Sequence, residues 1–126
     1  WQHVLEALNG YLLLAENLNK NKKLNGSSFN FSSNKIKNVT VVELLSKINK
    51  IWPLAKWRVT KKTKFHETNQ LQLNSSKAKK LLNWEAKLNL NQTISFIVSW
   101  YKNYQIDKKN IFYTSKDQII KFMKKF

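Results

Sequence analysis

Apolar residues recur at helical spacing near the start of the chain, which predicts a first helix over about residues 4–19. Glu6 lies in its first turn, where a carboxylate suits the positive end of the helix dipole. The polar stretch at residues 19–28 is typical of a loop, and alternation around Phe29 and Phe31 predicts a short strand over residues 28–32. The periodic positions of the helix are Val4, Leu5, Leu8, Tyr11, Leu12, Ala15 and Leu18.

A second helix is indicated by its start signals. Thr40 and Glu43 have the spacing of a capping box, in which each side chain bonds the backbone N–H of the other residue. Pro53, the only proline, marks the end of this helix. Residues 56–60 alternate as a strand does, and residues 70–73 form a further extended piece. The apolar stripe of the helix, which we expect in the core, is Val41, Leu44, Leu45, Ile48 and Ile51.

Three more helices are predicted in the second half of the chain. Ser75 or Ser76 can cap a short helix, and Asn83 suits the left-handed residue at its end. Asn91 is the predicted cap of a fourth helix, and a tail helix starts at Ser115 with a Ser-x-x-Gln pattern. These elements predict a helix-rich α+β fold. The apolar positions are Ala78, Leu81 and Leu82; Ile94, Ile97, Val98, Tyr101 and Tyr104; and Ile119, Phe122, Met123 and Phe126. The tryptophans Trp1, Trp57, Trp84 and Trp100 are predicted in the core.

Composition excludes several kinds of site. The absence of cysteine excludes disulfides and thiolate zinc sites, and it favours a reducing, cytoplasmic compartment. Two glycines are too few for a phosphate-binding loop, and seven scattered acidic residues with two histidines predict no metal site. The longest apolar run is too short to cross a bilayer, so no membrane partner is predicted.

The net charge of +16 raises the alternative of a small basic nucleic-acid-binding protein. Among 23 basic residues, only Arg58 is an arginine, although the guanidinium group is the better match to phosphate and base edges. The lysines are spread along the chain, which favours a solvated surface over a nucleic-acid footprint. The basic tail helix could lie on an anionic membrane or dock a partner helix, but ordinary packing is the favoured interpretation.

Several motifs, in their order along the chain, resemble the extended short-chain dehydrogenases/reductases, and within them the family of CDP-glucose 4,6-dehydratases. The two specific motifs are Trp1-Gln2-His3-Val4-Leu5-Glu6 and His66-Glu67. The resemblance covers residues 1–104. The other motifs are Gly10-Tyr11-Leu12, Phe29-Asn30-Phe31, Ser76-Lys77-Ala78-Lys79, Leu82-Asn83-Trp84 and Trp100-Tyr101-Lys102.

This resemblance implies an NAD-dependent enzyme acting on a CDP-sugar. In such an enzyme the C4 hydroxyl is oxidised, water is eliminated across C5 and C6, and the hydride returns to C6. The resemblance places NAD, its Gly-rich loop and a Tyr-x-x-x-Lys catalytic pair in a Rossmann domain that precedes Trp1. The chain is then expected to be a C-terminal fragment with no catalytic residue, inactive alone, and part of a homodimer or higher oligomer. Another sugar-nucleotide epimerase or dehydratase is the alternative.

The resemblance also implies three segments: residues 1–34 as a returning helix and strand at the edge of the Rossmann sheet, residues 35–106 as the nucleotide-sugar-binding domain, and residues 107–126 as a tail helix. Gln2 and His3 match the segment beside the nucleotide, and Asn30 and Asn34 match a turn whose amides bond the base or ribose. A packed histidine and turn-forming asparagines are the competing explanations. His66 and Glu67 match a loop that closes over the pyrophosphate or ribose, next to the basic run of Lys61, Lys62 and Lys64.

Overall fold

Helices form the described part of the protein. The computed structural model describes residues 1–33, 39–59 and 72–124. In these ranges no residue belongs to a β-strand. The helix-rich character is therefore confirmed, whereas the predicted sheet edge is not seen in the described ranges. The helices are α1 (Val4–Lys20), α2 (Val41–Ile51), α3 (Ser76–Leu82), α4 (Leu90–Ile106) and α5 (Ile111–Met123), with a 3₁₀ turn at Lys22–Leu24.

Residues 28–32 do not form the predicted strand, and side chains bind three of their carbonyl groups. Lys77 Nζ donates to Ser28 O at 3.0 Å, Gln2 Nε2 to Phe31 O at 2.9 Å, and Ser75 Oγ to Ser32 O at 3.0 Å. In a sheet, these carbonyls would accept from the N–H groups of a neighbouring strand. The strand predicted at 56–60 is likewise not formed by residues 56–59. Residues 72–73 of the predicted extended piece belong to no helix or strand, and residues 60, 70 and 71 lie outside the described ranges.

The capping box of α2 is confirmed. The N–H of Glu43 donates to Thr40 Oγ1 at 3.2 Å, and the N–H of Thr40 donates to Glu43 Oε2 at 2.8 Å. Hydrogen bonds from the backbone and hydroxyl of Thr40 lower the pKa of Glu43. The helix ends at Ile51, whose carbonyl accepts from Lys102 Nζ on α4 at 2.9 Å. No residue of α2 is fully buried. In its predicted core stripe, Leu44, Leu45 and Ile48 are half-buried, whereas Val41 and Ile51 are exposed.

The starts of the later helices differ in part from the predictions. Asn83 ends α3 with φ 54° and ψ 32°, as predicted. Asn89 and Gln92 form a capping box that starts α4 two residues before the predicted cap at Asn91. Helix α5 starts at Ile111 rather than Ser115, because the Asp107 carboxyl accepts from the N–H groups of Lys109 and Asn110 and orders the preceding turn.

The main buried cluster joins α1, the 3₁₀ turn and α3. The rings of Phe31 and Trp84 meet edge to face with their centroids 5.3 Å apart. Trp84 is the one predicted core tryptophan that is fully buried, since Trp100 is half-buried and Trp1 and Trp57 are exposed. The cluster contains Leu24, Phe31, Ala78, Leu82, Trp84 and Ala86, with Leu13, Leu14, Leu18 and Phe29 packed against it.

Gly10 lets Phe31 lie against α1. A Cβ at this position would lie 2.5–2.7 Å from three atoms of the Phe31 ring, which Tyr11 and Trp84 hold in place. We expect Gly10→Ala to lower the free energy of unfolding by about 1–2 kcal/mol, because overpacking exceeds the gain in helix propensity. Urea denaturation measures the change. Asn19→Ala, at an exposed position of α1, should be neutral or slightly stabilising. An equal response of the two variants would contradict the packing explanation.

Candidate functional site

His3 is the N-cap of α1. Its Nδ1 accepts from the N–H of Leu5 at 3.3 Å, and its ring meets Phe96 of α4 edge to face with the centroids 5.5 Å apart. Burial lowers the pKa of His3, so the ring is neutral near pH 7. Because Nδ1 is the acceptor, the proton of the neutral ring lies on Nε2. His3 therefore offers a neutral hydrogen-bond donor.

The protonation of His3 links stability to pH. Its folded pKa lies below the ordinary value, so between that pKa and about pH 6.5 the unfolded chain binds more protons. We expect the free energy of unfolding to decrease as the pH falls from about 7.5 to about 5.5, since protonation removes the Nδ1 acceptor and adds charge at the positive end of α1. Urea denaturation at several pH values measures this dependence.

His3→Asn is the matched variant for this prediction, because asparagine caps a helix without titrating in this range. It should flatten the pH dependence. His66→Gln controls for the second histidine. A slope that persists unchanged in His3→Asn would show that another group titrates.

A cavity of about 390 Å³ lies beside His3, between the start of α1 and the helices α4 and α5. Apolar and aromatic side chains make up most of its wall. The polar side chains of the lining are His3, Ser115 and Gln118. Tyr101 adds a hydroxyl group, and Trp100 adds an indole N–H. The apolar and aromatic lining residues are Val4, Leu5, Ile97, Trp100, Tyr101 and Ile119.

Ser115 and Gln118 hold α5 against α4 at this cavity. Ser115 Oγ accepts from Trp100 Nε1 at 2.9 Å, and Gln118 Nε2 donates to Phe96 O at 2.7 Å and to Ser99 Oγ at 3.1 Å. The sequence pattern placed these two residues at the start of the tail helix, and their part in the cavity was missed. Their spacing of three residues was the available signal, since it puts both on one helix face.

Gln2 contacts the segment that contains Asn30, whereas His3 contacts α4. Gln2 Nε2 donates to Phe31 O at 2.9 Å, which brings Gln2 next to the segment that contains Asn30. Gln2 Oε1 is buried without a hydrogen-bond partner among the described residues, and Asn30 is exposed. His3 instead contacts α4. The described members of the predicted site therefore divide into two groups.

The other predicted site residues are not placed by the structure. Asn34, His66 and Glu67 lie outside the described residues, as does the basic run of Lys61, Lys62 and Lys64. Their assignments to the base, ribose and pyrophosphate stay predictions.

Glu6 has a structural role that the sequence pattern did not reveal. It is 1% exposed, and its Oε1 accepts from the N–H groups of Lys87 at 2.8 Å and Leu88 at 2.6 Å. Its carbonyl accepts from Trp84 Nε1 at 3.1 Å. Burial lowers the pKa of Lys87, an effect that the charge of Glu6 opposes. Glu6 therefore fixes α1 to the segment after α3, in addition to its position in the first turn.

The described residues do not fit a dinucleotide cofactor or a metal ion. Phe31 fills the space beside Gly10, and Gly26 stands alone in a loop, so neither forms a backbone cradle for a pyrophosphate. In the same ranges no group of three or more His, Asp or Glu residues could hold a metal ion. Among the described helices, none has the length and apolar character needed to span a bilayer.

Comparison with known proteins confirms the resemblance found in the motifs. The chain is 32% identical over 124 residues to CDP-glucose 4,6-dehydratase from Salmonella typhimurium strain LT2. The alignment covers 98% of this chain and 34% of that protein, so the chain spans about a third of the length of the relative it matches. No family model matches the chain.

Proposed function

We propose that the chain is the sugar-nucleotide-binding part of an NAD-dependent CDP-glucose 4,6-dehydratase and that polypeptide outside the chain supplies the dinucleotide-binding domain. The observation that carries the proposal is the 32% identity to a CDP-glucose 4,6-dehydratase over 98% of the chain. NAD would supply hydride transfer from a site outside the described residues. The part of this chain would be to bind and orient the CDP-sugar.

The packing of the shared motifs supports the proposal. Gly10 contacts Phe31, Phe31 contacts Trp84, and the indole of Trp84 donates to the carbonyl of Glu6. These four residues come from four separate motifs of the resemblance, and they form one continuous set of contacts. The motifs thus describe a common packing unit, as parts of one fold would.

The orientation of α1 supports the requirement for further polypeptide. Its buried residues are Glu6 and Gly10, whereas most of its predicted apolar stripe faces outward. An uncovered apolar face of this extent is typical of a surface that packs against another part of a protein. The exposed large side chains are Val4 at 63%, Leu8 at 45%, Tyr11 at 58% and Leu12 at 72%.

In the proposed enzyme, Gln2, His3 and Asn30 contact the substrate together with Asn34, His66 and Glu67. The division into residues 1–34, 35–106 and 107–126, the cytoplasmic location and a homo-oligomeric assembly belong to the same proposal. The chain alone would not catalyse the reaction, because the residues that hold NAD and transfer protons would come from the added domain.

The test is reconstitution. We would co-express the chain with the part of the Salmonella relative that has no counterpart in it, and measure formation of the 4-keto-6-deoxy product from CDP-glucose. We expect activity in the complex and none in the chain alone. Leu8→Lys combined with Leu12→Lys should prevent assembly, whereas Val42→Lys, at an exposed position of α2, should not.

Two results would overturn the proposal: an assembled complex without activity, or one that prefers another nucleotide sugar over CDP-glucose. The latter would favour the alternative of a different epimerase or dehydratase. A salt titration with DNA addresses the nucleic-acid alternative, since binding through lysine–phosphate contacts weakens steeply as salt increases.

A further inference from the structure

We infer that Asn25 is a site of spontaneous modification, where the side-chain amide is lost as ammonia and the residue becomes aspartate or isoaspartate. The chain has two glycines, and each of them follows an asparagine, in the pairs Asn9-Gly10 and Asn25-Gly26. Asparagine before glycine reacts most readily, because glycine has no side chain to hinder the approach of its own backbone nitrogen. By sequence alone the two pairs are equivalent, and their surroundings in the structure distinguish them.

The reaction needs neither an enzyme nor a cofactor. The backbone nitrogen of Gly26 attacks Cγ of Asn25 and forms a new N–C bond. The side-chain amide leaves as ammonia, which carries away the proton of the attacking N–H. Water then opens the resulting succinimide ring at one of its two carbonyls. Opening at Cγ gives aspartate, whereas opening at the backbone carbonyl gives isoaspartate, in which the main chain continues through the side chain.

Asn25 and Gly26 are the two central residues of a tight turn. Ser27 N–H donates to Leu24 O at 3.0 Å, and φ −61° and ψ 136° at Asn25 with φ 74° at Gly26 match a type II β-turn. Both central residues are exposed. Neither the N–H of Gly26 nor the side chain of Asn25 makes a hydrogen bond to a described residue. The attacking group and the group under attack are therefore both accessible.

Rotation of one peptide group brings the reacting atoms together. Ring closure requires the nitrogen of Gly26 to lie beside the side chain of Asn25, whereas at ψ 136° it points away. The peptide group between the two residues must therefore turn over. Gly26 allows this change, since glycine adopts both signs of φ and no atom outside its chain neighbours lies within 4 Å of where its Cβ would be. The rearrangement is confined to exposed residues.

The pair Asn9-Gly10 is held inside α1. In a helix, the N–H of Gly10 bonds the carbonyl four residues earlier. Gly10 is also buried, with the ring of Phe31 against it. Ring closure at Asn9 would have to break the helix at this position and displace that ring. We therefore expect Asn9 to react only when α1 opens.

The two products at position 25 should differ in their effect on the fold. Isoaspartate adds the side-chain methylene to the main chain inside the turn that the hydrogen bond between Ser27 and Leu24 closes. Leu24 is 7% exposed and belongs to the main buried cluster. We therefore expect the isoaspartate form to unfold at a lower urea concentration. Asn25→Asp changes only an exposed side chain and should leave the urea midpoint unchanged.

Tryptic mapping of the folded chain after prolonged incubation tests the inference. We expect the peptide of residues 24–35, which contains Asn25, to gain the mass difference between –NH₂ and –OH and to be labelled by protein isoaspartate methyltransferase. Tandem mass spectrometry assigns the change to Asn25. In the peptide of residues 1–20, Asn9 should react at least roughly 10-fold more slowly, because its reaction requires local opening of α1. Incubation in urea should remove the difference.

Asn25→Gln is the matched control, since it keeps an exposed amide but would have to close a larger ring. Position 25 should then keep its mass over the same time. Reaction of Asn25 in urea but not in the folded chain would overturn the inference, because the turn would then protect its asparagine as the helix does. Equal rates at Asn9 and Asn25 in the folded chain would also overturn it. No substrate takes part in these measurements, so they do not depend on the proposed function.

Discussion

Replacing Glu6 by alanine should lower the free energy of unfolding by about 3–5 kcal/mol. The substitution leaves the N–H groups of Lys87 and Leu88 without their acceptor in a buried environment. An unsatisfied buried polar group costs about 1–3 kcal/mol, and the lost side-chain volume adds a packing term. A small domain is stable by only about 5–15 kcal/mol in total, so this change removes a large fraction of it. Urea denaturation followed by circular dichroism measures the effect.

Two variants separate the hydrogen bonds of Glu6 from its charge. Glu6→Gln keeps an oxygen in place of Oε1 and should cost less than Glu6→Ala. Glu16→Ala removes an exposed carboxyl of the same helix, which pairs with Lys20, and should cause no measurable change. Equal losses for the alanine and glutamine variants at Glu6 would show that charge dominates, contrary to the expectation.

Local signals predicted the helices well because their causes lie within a few residues. The capping box of Thr40 and Glu43 and the left-handed Asn83 are contacts between near neighbours, and both are confirmed. The helix starts predicted at Asn91 and Ser115 were wrong because other local signals nearby set the observed starts. Asn89 also has a partner three residues later, and the turn at Asp107 set the start of α5 without an apolar cue.

Periodicity predicted buried positions in α3, α4 and α5, such as Leu82, Val98 and Phe122, but it did not predict which side of α1 or α2 is buried. The periodic apolar positions of α1 predicted the helix, yet Glu6 and Gly10 are its buried residues. Periodicity shows that an apolar face exists but not which partner covers it. The same limit explains α2, which has a well-formed apolar stripe and no buried residue.

In the candidate site, too, the sequence predicted a residue within a local motif but missed one that depends on contacts between distant segments. The motif around His3 drew attention to the start of α1, where the structure has a neutral, buried imidazole. Gln118 was missed, because it reaches the cavity only through the packing of α5 on α4. Contacts between residues far apart in the sequence leave no periodic signal, so they required the structure.

Replacing Trp84 by alanine should cost about 3–5 kcal/mol, the second large loss that we expect. Trp84 is 2% exposed, its ring packs on Phe31, and its Nε1 donates to Glu6 O. Trp84→Phe keeps most of the packing and should cost less. Trp57→Ala, at a tryptophan that is 40% exposed, is the control and should be close to neutral. Near-ultraviolet circular dichroism reports the loss of packing, and the shift of the urea midpoint reports the loss of stability.

The losses at Glu6 and Trp84 should not add. Both residues fix α1 to the same segment, residues 84–88, and the indole of Trp84 bonds the carbonyl of Glu6 directly. Residues in contact show coupling energies of about 0.5–3 kcal/mol in double-mutant cycles. We therefore expect the double alanine variant to lose less than the sum of the single variants. Additive losses would indicate that Glu6 and Trp84 hold α1 to this segment independently.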